Sequence, residues 1–262
     1  MKNISAAIWT EGLKIVRSKM LWATILVYLF IPFMIGILMF IQKYPEISAK
    51  MGMLGTKASM LTLGEANWST FFGFLILIIA MLGIMGFGFL TTWVFSREYS
   101  DQTLRDLLAL PTPRSSIVFA KFIVILIWCL LLSFMFFIFG LLVGGMIQLS
   151  GWSGEVFLHN VYQFIVTSLL TILLCTPVAF VAGYSRGYLP PIAFIILTLI
   201  ISQFIGLVGL GPYFPWAIPA LYSGAAGIEG ASLGIISYVI LFTTSILGLI
   251  GTFAWWRYAD QY

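Results

Sequence analysis

Charged residues are scarce in this chain. Asp, Glu, Lys and Arg make up 8% of its 262 residues, whereas hydrophobic residues make up 61%. A soluble domain carries about 25% charged residues, because its surface faces water. The chain has too few polar groups to cover a globule of its size, so lipid must solvate much of it. The composition excludes an ordinary soluble domain and predicts one membrane domain over residues 1–262, with the lipid bilayer as its solvent.

Residue types that hold metals, cofactors or nucleotides are also scarce. The two cysteines, Cys129 and Cys175, lie inside apolar runs and are expected to be packing residues. The one histidine, His159, does not support a zinc or haem site, and no G-x-x-x-x-G-K-[ST] loop is present to hold nucleotide phosphates. We therefore expect no catalytic residue, metal or cofactor on this chain. The net charge of +4 comes from basic residues beside apolar runs, which is typical of a membrane protein and does not indicate nucleic-acid binding.

Six apolar stretches are long enough to cross a bilayer. A transmembrane helix needs about 20 mainly apolar residues, because each adds about 1.5 Å through a core roughly 30 Å thick. Their central regions contain no Asp, Glu or Arg, which disfavours an ion-coupled carrier without excluding it; Lys121, near the start of a span, is expected to extend toward the headgroups. The predicted fold class is therefore an all-α membrane protein with six transmembrane helices, over 20–41, 71–95, 117–147, 161–184, 189–210 and 234–256.

The distribution of basic residues predicts the orientation. Ten of the 13 Lys and Arg residues lie on one side of the predicted spans and three on the other. Cytoplasmic connectors are the ones enriched in Lys and Arg, so both termini are expected in the cytoplasm of a bacterial cell. The ten are Lys2, Lys14, Arg17, Lys19, Arg97, Arg105, Arg114, Lys121, Arg186 and Arg257, and the three are Lys43, Lys50 and Lys57.

Two segments outside the spans have a pattern of their own. Residues 3–19 place Ile8, Trp9 and Ile15 on one broad helical face, which predicts an amphipathic helix in the cytoplasmic interface. A helix packed against the side of the bundle is the alternative. Residues 211–233 are apolar but broken by proline and glycine, which predicts a short interfacial or re-entrant segment before the last span.

The connector between the second and third spans is the most informative segment. Residues 96–116, SREYSDQTLRDLLALPTPRSS, carry more charge of both signs than any other connector, with a narrow stripe of leucines at helical spacing. The pattern predicts a short charged helix that ends before Pro111, because proline lacks the amide N–H and restricts the residue before it. Such a helix either turns the corner between two spans or docks a partner protein.

Within this connector, the order of residues resembles the cytoplasmic signature of type-2 ABC exporter permeases. The signature comprises an acidic residue, a threonine, a Leu-Leu pair, a proline and then two basic residues, found here as Glu98, Thr103, Leu107, Leu108, Pro111, Arg114 and Lys121. The Gly-Thr that is usual in the family reads Gln102-Thr103 here. The first amphipathic helix, the six spans and the broken segment also match. The chain most resembles the membrane subunits of bacitracin- and lantibiotic-type self-protection transporters.

The resemblance implies partners and a role for the connector. Two permease subunits, identical or related, would form the pathway, and a separate ATPase subunit beneath each would bind ATP and Mg²⁺. Residues 97–110 would be the coupling helix, seated on that ATPase. The residues expected to carry coupling are Arg97, Glu98, Asp101, Thr103, Leu104, Arg105, Leu107, Leu108, Pro111 and Arg114.

The function expected from the resemblance is export of, or protection against, a peptide antibiotic or another amphipathic compound. Two alternatives remain open. One is a secondary carrier driven by an ion gradient, and the other is a membrane enzyme or assembly factor without transport activity. The first would transport without ATP, whereas the second would need polar groups that converge inside the membrane.

Overall fold

The computed structural model describes residues 2–44, 65–103, 112–224 and 233–258, and all regular structure in these ranges is helical. We label the helices α1 to α9 in chain order: α1 Lys2–Val16, α2 Lys19–Lys43, α3 Trp68–Ser100, α4 Arg114–Ile147, α5 Gly154–Leu173, α6 Cys175–Ser185, α7 Leu189–Leu207, α8 Ile218–Tyr222 and α9 Ile235–Tyr258. Six helical stretches are long and apolar enough to cross a membrane, in agreement with the predicted spans; the fourth consists of α5 and α6 together.

Helix α3 occupies the centre of the bundle and packs against α2, α4, α5, α6 and α7. Its aromatic residues Phe71, Phe72 and Phe87 are fully buried. Helix α4 approaches α3 closely at Gly140 and Gly144, where an added Cβ would lie 2.7 Å from Leu75 and from Trp68. The small-residue pair on α4 therefore serves close packing within the chain.

The fourth span is interrupted at Leu174, where α5 ends and α6 begins. Pro177, which lacks an amide N–H, lies in the first turn of α6. Across this break, the hydroxyl of Thr176 donates a hydrogen bond to the carbonyl of Ser245 on α9, with an O–O distance of 2.6 Å. A Cβ on Gly248 would lie 2.4 Å from the Pro177 nitrogen, so the backbones of α6 and α9 are in direct contact.

Helix α1 packs along α4 rather than standing apart from the bundle. Ile15 and Glu11 are buried, whereas Trp9 is 71% exposed and Val16 is also exposed. The apolar face predicted from the sequence is therefore split between the bundle and the surroundings. This agrees with the alternative of a packed helix; location in the membrane interface stays a prediction.

The segment before the last span is broken, as its prolines predicted. Two 3₁₀ turns, Gly211–Tyr213 and Pro215–Ala217, lead into the short helix α8. Trp216 and Ile218 are buried against α5, α7 and α9. The expected re-entrant or interfacial position of the segment stays a prediction, and residues 225–232 lie outside the described ranges.

The connector differs from its prediction at its start. Residues 97–100 do not begin a separate helix but form the last turn of α3. The helix then ends in a tight reversal, in which Gln102 adopts a left-handed conformation with φ 55° and the Thr103 amide donates to the Glu98 carbonyl at 3.1 Å. This pattern satisfies the free carbonyls of a helix end. The remainder of the predicted coupling helix, 104–111, lies outside the described residues.

Candidate functional site

Four charged side chains from three helices meet at the end of the bundle where α3 ends and α4 begins. They are Glu11 and Lys14 of α1, Glu98 of α3 and Lys121 of α4, called here the charge cluster. The Lys121 ammonium lies 2.7 Å from Glu98 Oε1 and 3.2 Å from Glu11 Oε2. Lys14 lies 3.0 Å from the same Glu98 oxygen and also pairs with Glu11. The cluster therefore ties α1 to both α3 and α4.

The charge cluster is electrically balanced and almost entirely buried. It contains two lysines and two glutamates, so its formal charge is zero. Lys121 is 0% exposed and Glu98 3%, whereas the side chain of Lys14 retains 24% exposure. Charges are removed from solvent at a large free-energy cost, which only good pairing geometry offsets. Mutual pairing is therefore the condition under which these groups can be buried.

Lys121 has a partner for each of its three N–H groups. In addition to the two carboxylates, it donates to the Val94 carbonyl at 2.9 Å. The expectation that this side chain extends toward the headgroups is wrong, because α4 directs it into the bundle, where Glu98 and Glu11 accept hydrogen bonds from its ammonium. The seven residues from the start of α4 place it about 10 Å along the helix.

The environment of Lys14 favours its charged form. Burial lowers the pKa of this ammonium, but the opposite charges of Glu11 and Glu98 and the hydrogen bonds to them raise it more, so the pKa is above its ordinary value. Lys14 is thus held as a cation at the edge of the cluster.

The predicted coupling residues fall into three groups. Arg97, Asp101 and Thr103 lie at the end of α3, and Arg114 opens α4. Glu98 lies among them in sequence but is buried in the charge cluster, where its carboxylate faces α1 and α4; its expected role in coupling stays a prediction. Leu104, Arg105, Leu107, Leu108 and Pro111 lie outside the described residues.

The accessible charges at this end are arranged around α3. The guanidinium of Arg97 lies over the ring of Trp93 at 5.0 Å and pairs with Asp101 at 3.5 Å. The side chain of Asp101 is 55% exposed. Arg114 lies within 3.5 Å of the Trp256 carbonyl, which links the start of α4 to the end of α9. Among the predicted coupling residues that the structure describes, Asp101, Thr103 and Arg114 are exposed.

Two members of the charge cluster, Glu11 and Lys14, were not among the residues predicted to act at this end. A signal was available, because Glu11 is the one acidic residue within 1–45 and Lys14 follows it by three positions, close to one helical turn. The partners on α3 and α4 lie 87 and 110 positions further along the chain from Glu11. No local pattern connects residues at such separations.

Comparison with known proteins identifies the family. Residues 7–204 match the model of the ABC-2 family transporter protein. The chain is also 29% identical, over 184 residues, to the bacitracin transport permease protein BCRB of Bacillus licheniformis; the match covers 70% of this chain and 88% of the relative. No solved structure matches the chain. Since the family match spans most of the sequence and includes the whole charge cluster, the chain belongs to the ABC-2 transporter family, as a membrane permease subunit.

Proposed function

We propose that the chain forms half of the transmembrane pathway of an ABC exporter in the bacterial cell membrane and that separate ATPase subunits drive it. The family match over residues 7–204 carries this proposal, since that range contains four whole spans, most of the fifth and the charged connector. The chain has no phosphate-binding loop of the G-x-x-x-x-G-K-[ST] type, so ATP and Mg²⁺ are assigned to the partner ATPase. Both termini and the connector are placed in the cytoplasm.

The charge cluster gives a physical route from the connector to the spans. The connector leaves α3 at Ser100 and enters α4 at Arg114, and Glu98 and Lys121 join these two helices within two turns of those points. Glu11 and Lys14 add α1 to the same unit. A force on the connector is therefore applied to three joined helices, and ATP-driven closure of the ATPases would shift all three between two arrangements.

Within the connector, we assign docking and anchoring to different residues. The proposed direct contacts with the ATPase are Asp101, Arg105 and Leu107. The other residues proposed to take part in coupling are Arg97, Thr103, Leu104, Leu108, Pro111 and Arg114. Glu98 is instead the anchor that fixes the end of α3 inside the bundle. This division separates variants that weaken ATPase contact from variants that destabilise the permease.

Coupling can be tested by reconstitution with a partner ABC ATPase, which is first sought among the reading frames next to the permease gene. The permease alone is expected to hydrolyse no ATP, and adding it to the ATPase in proteoliposomes is expected to stimulate hydrolysis. The double variant Asp101→Ala/Leu107→Ala should lose stimulation and transport while retaining the thermal stability of the wild type. Glu155→Gln, an exposed acid at the opposite end of the bundle, is the matched control. Full stimulation by the double variant would show that coupling does not use this connector.

Assembly into a pathway is proposed to need two permease subunits, either two copies of this chain or one copy with a related chain. Co-expression of two differently tagged copies with the ATPase tests this directly. Recovery of both tags in one ATP-hydrolysing complex supports a homodimer, and recovery of a related permease in place of the second copy supports a heterodimer. A transport-competent complex with a single permease subunit would contradict the proposal.

For the substrate, we propose a peptide antibiotic of the bacitracin type or another amphipathic compound. The support is the similarity to a bacitracin transport permease. A groove of about 650 Å³ between α4 and α5, lined almost entirely by apolar side chains such as Phe134 and Phe164, would accept the apolar part of such a molecule as readily as a lipid tail. A sensitive host expressing the permease with its ATPase should tolerate more bacitracin than a host expressing either alone.

The stimulation assay and the bacitracin-tolerance assay test the transporter class and the substrate separately. If bacitracin tolerance is unchanged but the permease still stimulates the ATPase, the substrate is wrong and the class stands. Transport into proteoliposomes under a proton or sodium gradient without ATP would instead establish a secondary carrier. That alternative has one observation in its favour, because the buried pair Glu98–Lys121 places ionisable groups inside the bundle.

A further inference from the structure

Beside the charge cluster, a cavity of about 570 Å³ opens between α1, the end of α3 and the turn before α7. This size lies within the range of small-ligand pockets. The side chains that give it its character are Lys14, Arg17, Arg97, Asp101, Trp93 and Tyr188. Three of these are cations and one is an acid. We propose that this cavity binds the phosphate of an anionic phospholipid headgroup.

The hydrogen-bond donors of the cavity are not exhausted by contacts within the protein. Lys14 has three N–H groups and uses two of them on Glu11 and Glu98. Arg17 is exposed and forms no ion pair with the described part of the chain. Arg97 lies over Trp93, 5.0 Å from the ring centroid; it donates to the Lys14 carbonyl at 3.4 Å and pairs with the half-exposed Asp101 at 3.5 Å, which uses two of its five N–H groups. The Arg17 guanidinium, the other N–H groups of Arg97 and one ammonium N–H of Lys14 are therefore available to an anion.

Guanidinium groups are well suited to a phosphate. Their planar set of donors matches two phosphate oxygens at once, and charge-assisted hydrogen bonds of this kind are shorter and stronger than neutral ones. The phenol of Tyr188 adds a donor from a third element. Burial is the main cause that raises the pKa of this phenol, so it keeps its proton at neutral pH and can donate.

The depth of the cavity selects lipid over other phosphates. Its lining residues adjoin span ends: Ser18 precedes α2, Asp101 follows α3 and Tyr188 precedes α7. Trp9 on α1 and Trp22 near the start of α2 are each 71% exposed, as residues at the membrane–water interface are. A cavity at this level faces lipid phosphates, and the surplus of cations favours lipids with net negative charge.

A headgroup in this cavity would join α1 to α3 from the side opposite α4. Arg17 belongs to the turn between α1 and α2, and Arg97 to the last turns of α3. A bound headgroup would thus strengthen the attachment of α1 to α3, which the charge cluster already provides. The inference requires only that the chain lies in a bilayer, so it does not depend on the substrate or on the ATPase.

Lipid titration of the purified full chain in detergent, followed by native mass spectrometry, tests the site. Phosphatidylglycerol should bind the wild type at least about tenfold more tightly than phosphatidylcholine. The Arg17→Gln variant should bind phosphatidylglycerol about tenfold more weakly than the wild type does. Lys19→Gln is the matched control, because it removes one exposed positive charge two positions away, outside the cavity lining. It should change the affinity by less than about twofold. Because Arg17 is exposed, its replacement should leave the melting temperature in lipid-free detergent unchanged.

Two results would overturn the proposal. Equal loss of affinity in Arg17→Gln and Lys19→Gln would show general attraction to a basic surface rather than a site. Competition by millimolar inorganic phosphate that displaces the lipid completely would show that the cavity recognises a free anion and not a headgroup. No ATPase takes part in this experiment, so neither result bears on the transport class.

Discussion

Single and double replacement of the buried pair Glu98–Lys121 measures whether the charge cluster is held by mutual pairing. Glu98→Gln keeps the shape of the side chain but leaves two lysines facing Glu11, so the cluster gains one positive charge. Lys121→Met keeps the length of the side chain but leaves two glutamates facing Lys14. In the double variant, Lys14 and Glu11 still pair, and the cluster is again neutral.

The expected magnitudes follow from burial. Removal of one partner from a buried pair costs about 3–5 kcal/mol, because the other charge is left uncompensated in a poorly solvated site. The lower end applies here, since Glu11 and Lys14 each stay within reach of the remaining charge. For a chain of this size, 1 kcal/mol changes the melting temperature by about 2–4 °C. Each single variant should therefore melt about 6–12 °C below the wild type.

The double variant should be more stable than either single variant, because no buried charge is left unpaired. The measurement is thermal unfolding of the purified permease in one detergent, followed by the fluorescence of its nine tryptophans. Glu155→Gln is the control for loss of an exposed acid, and it should change the melting temperature by less than about 1 °C. If the losses of the two single variants add in the double variant, Glu98 and Lys121 act independently and the pairing argument fails.

Three further outcomes follow from close contacts, backbone conformation and charge. Gly248→Ala places a methyl group against the backbone of α6 and should cost about 1–3 kcal/mol, while Gly145→Ala, with open space at its Cβ, should be neutral or slightly stabilising in the same melting assay. Gln102→Gly relieves a left-handed residue after α3 and should stabilise by about 1 kcal/mol; a lower melting temperature would contradict the reversal described at this position. The pKa of Lys14 is raised in the folded protein, so its contribution should be complete below the ordinary value of 10.5 and lost as the pH rises through the higher folded value. The difference in melting temperature between the wild type and Lys14→Gln should thus be constant from about pH 7 to 9 and shrink in more alkaline solution; a difference that changes between pH 7 and 9 would contradict the assignment.

The spanning helices could be predicted because hydropathy is local. A run of about 20 apolar residues must form a helix in lipid, whatever the remainder of the chain does. The interruption of the fourth span at Leu174 has a local signal as well, in Pro177 three positions later. The ends of the helices were less predictable: α3 continues to Ser100, past charged residues that were assigned to a separate coupling helix. The extended end of α3 can contain the buried Glu98 because Lys14 of α1 and Lys121 of α4 pair with its carboxylate.

The charge cluster could not be predicted in the same way, since its members are far apart in the sequence. The family resemblance marked Glu98 and Lys121 as notable residues, but it assigned Glu98 to contact with a partner. The structure places both in one buried pair. The same applies to Gly140 and Gly144, whose spacing indicates close helix approach but does not show that the neighbour is α3 of the same chain. Tertiary partners decide both roles.

The energetics of the cluster also restrict how the permease can move. Separation of α1 or α4 from α3 would expose buried charges without partners, at about 3–5 kcal/mol for each broken pair. Rotation about a few backbone bonds at an existing break carries no such penalty. Such breaks lie at each edge of the unit: the turn between α1 and α2, the reversal at Gln102, and the entry to α4 at Pro113. Helices α1, α3 and α4 are therefore expected to move as one body at this end, with the turn between α1 and α2, the reversal at Gln102 and the entry to α4 as its hinges.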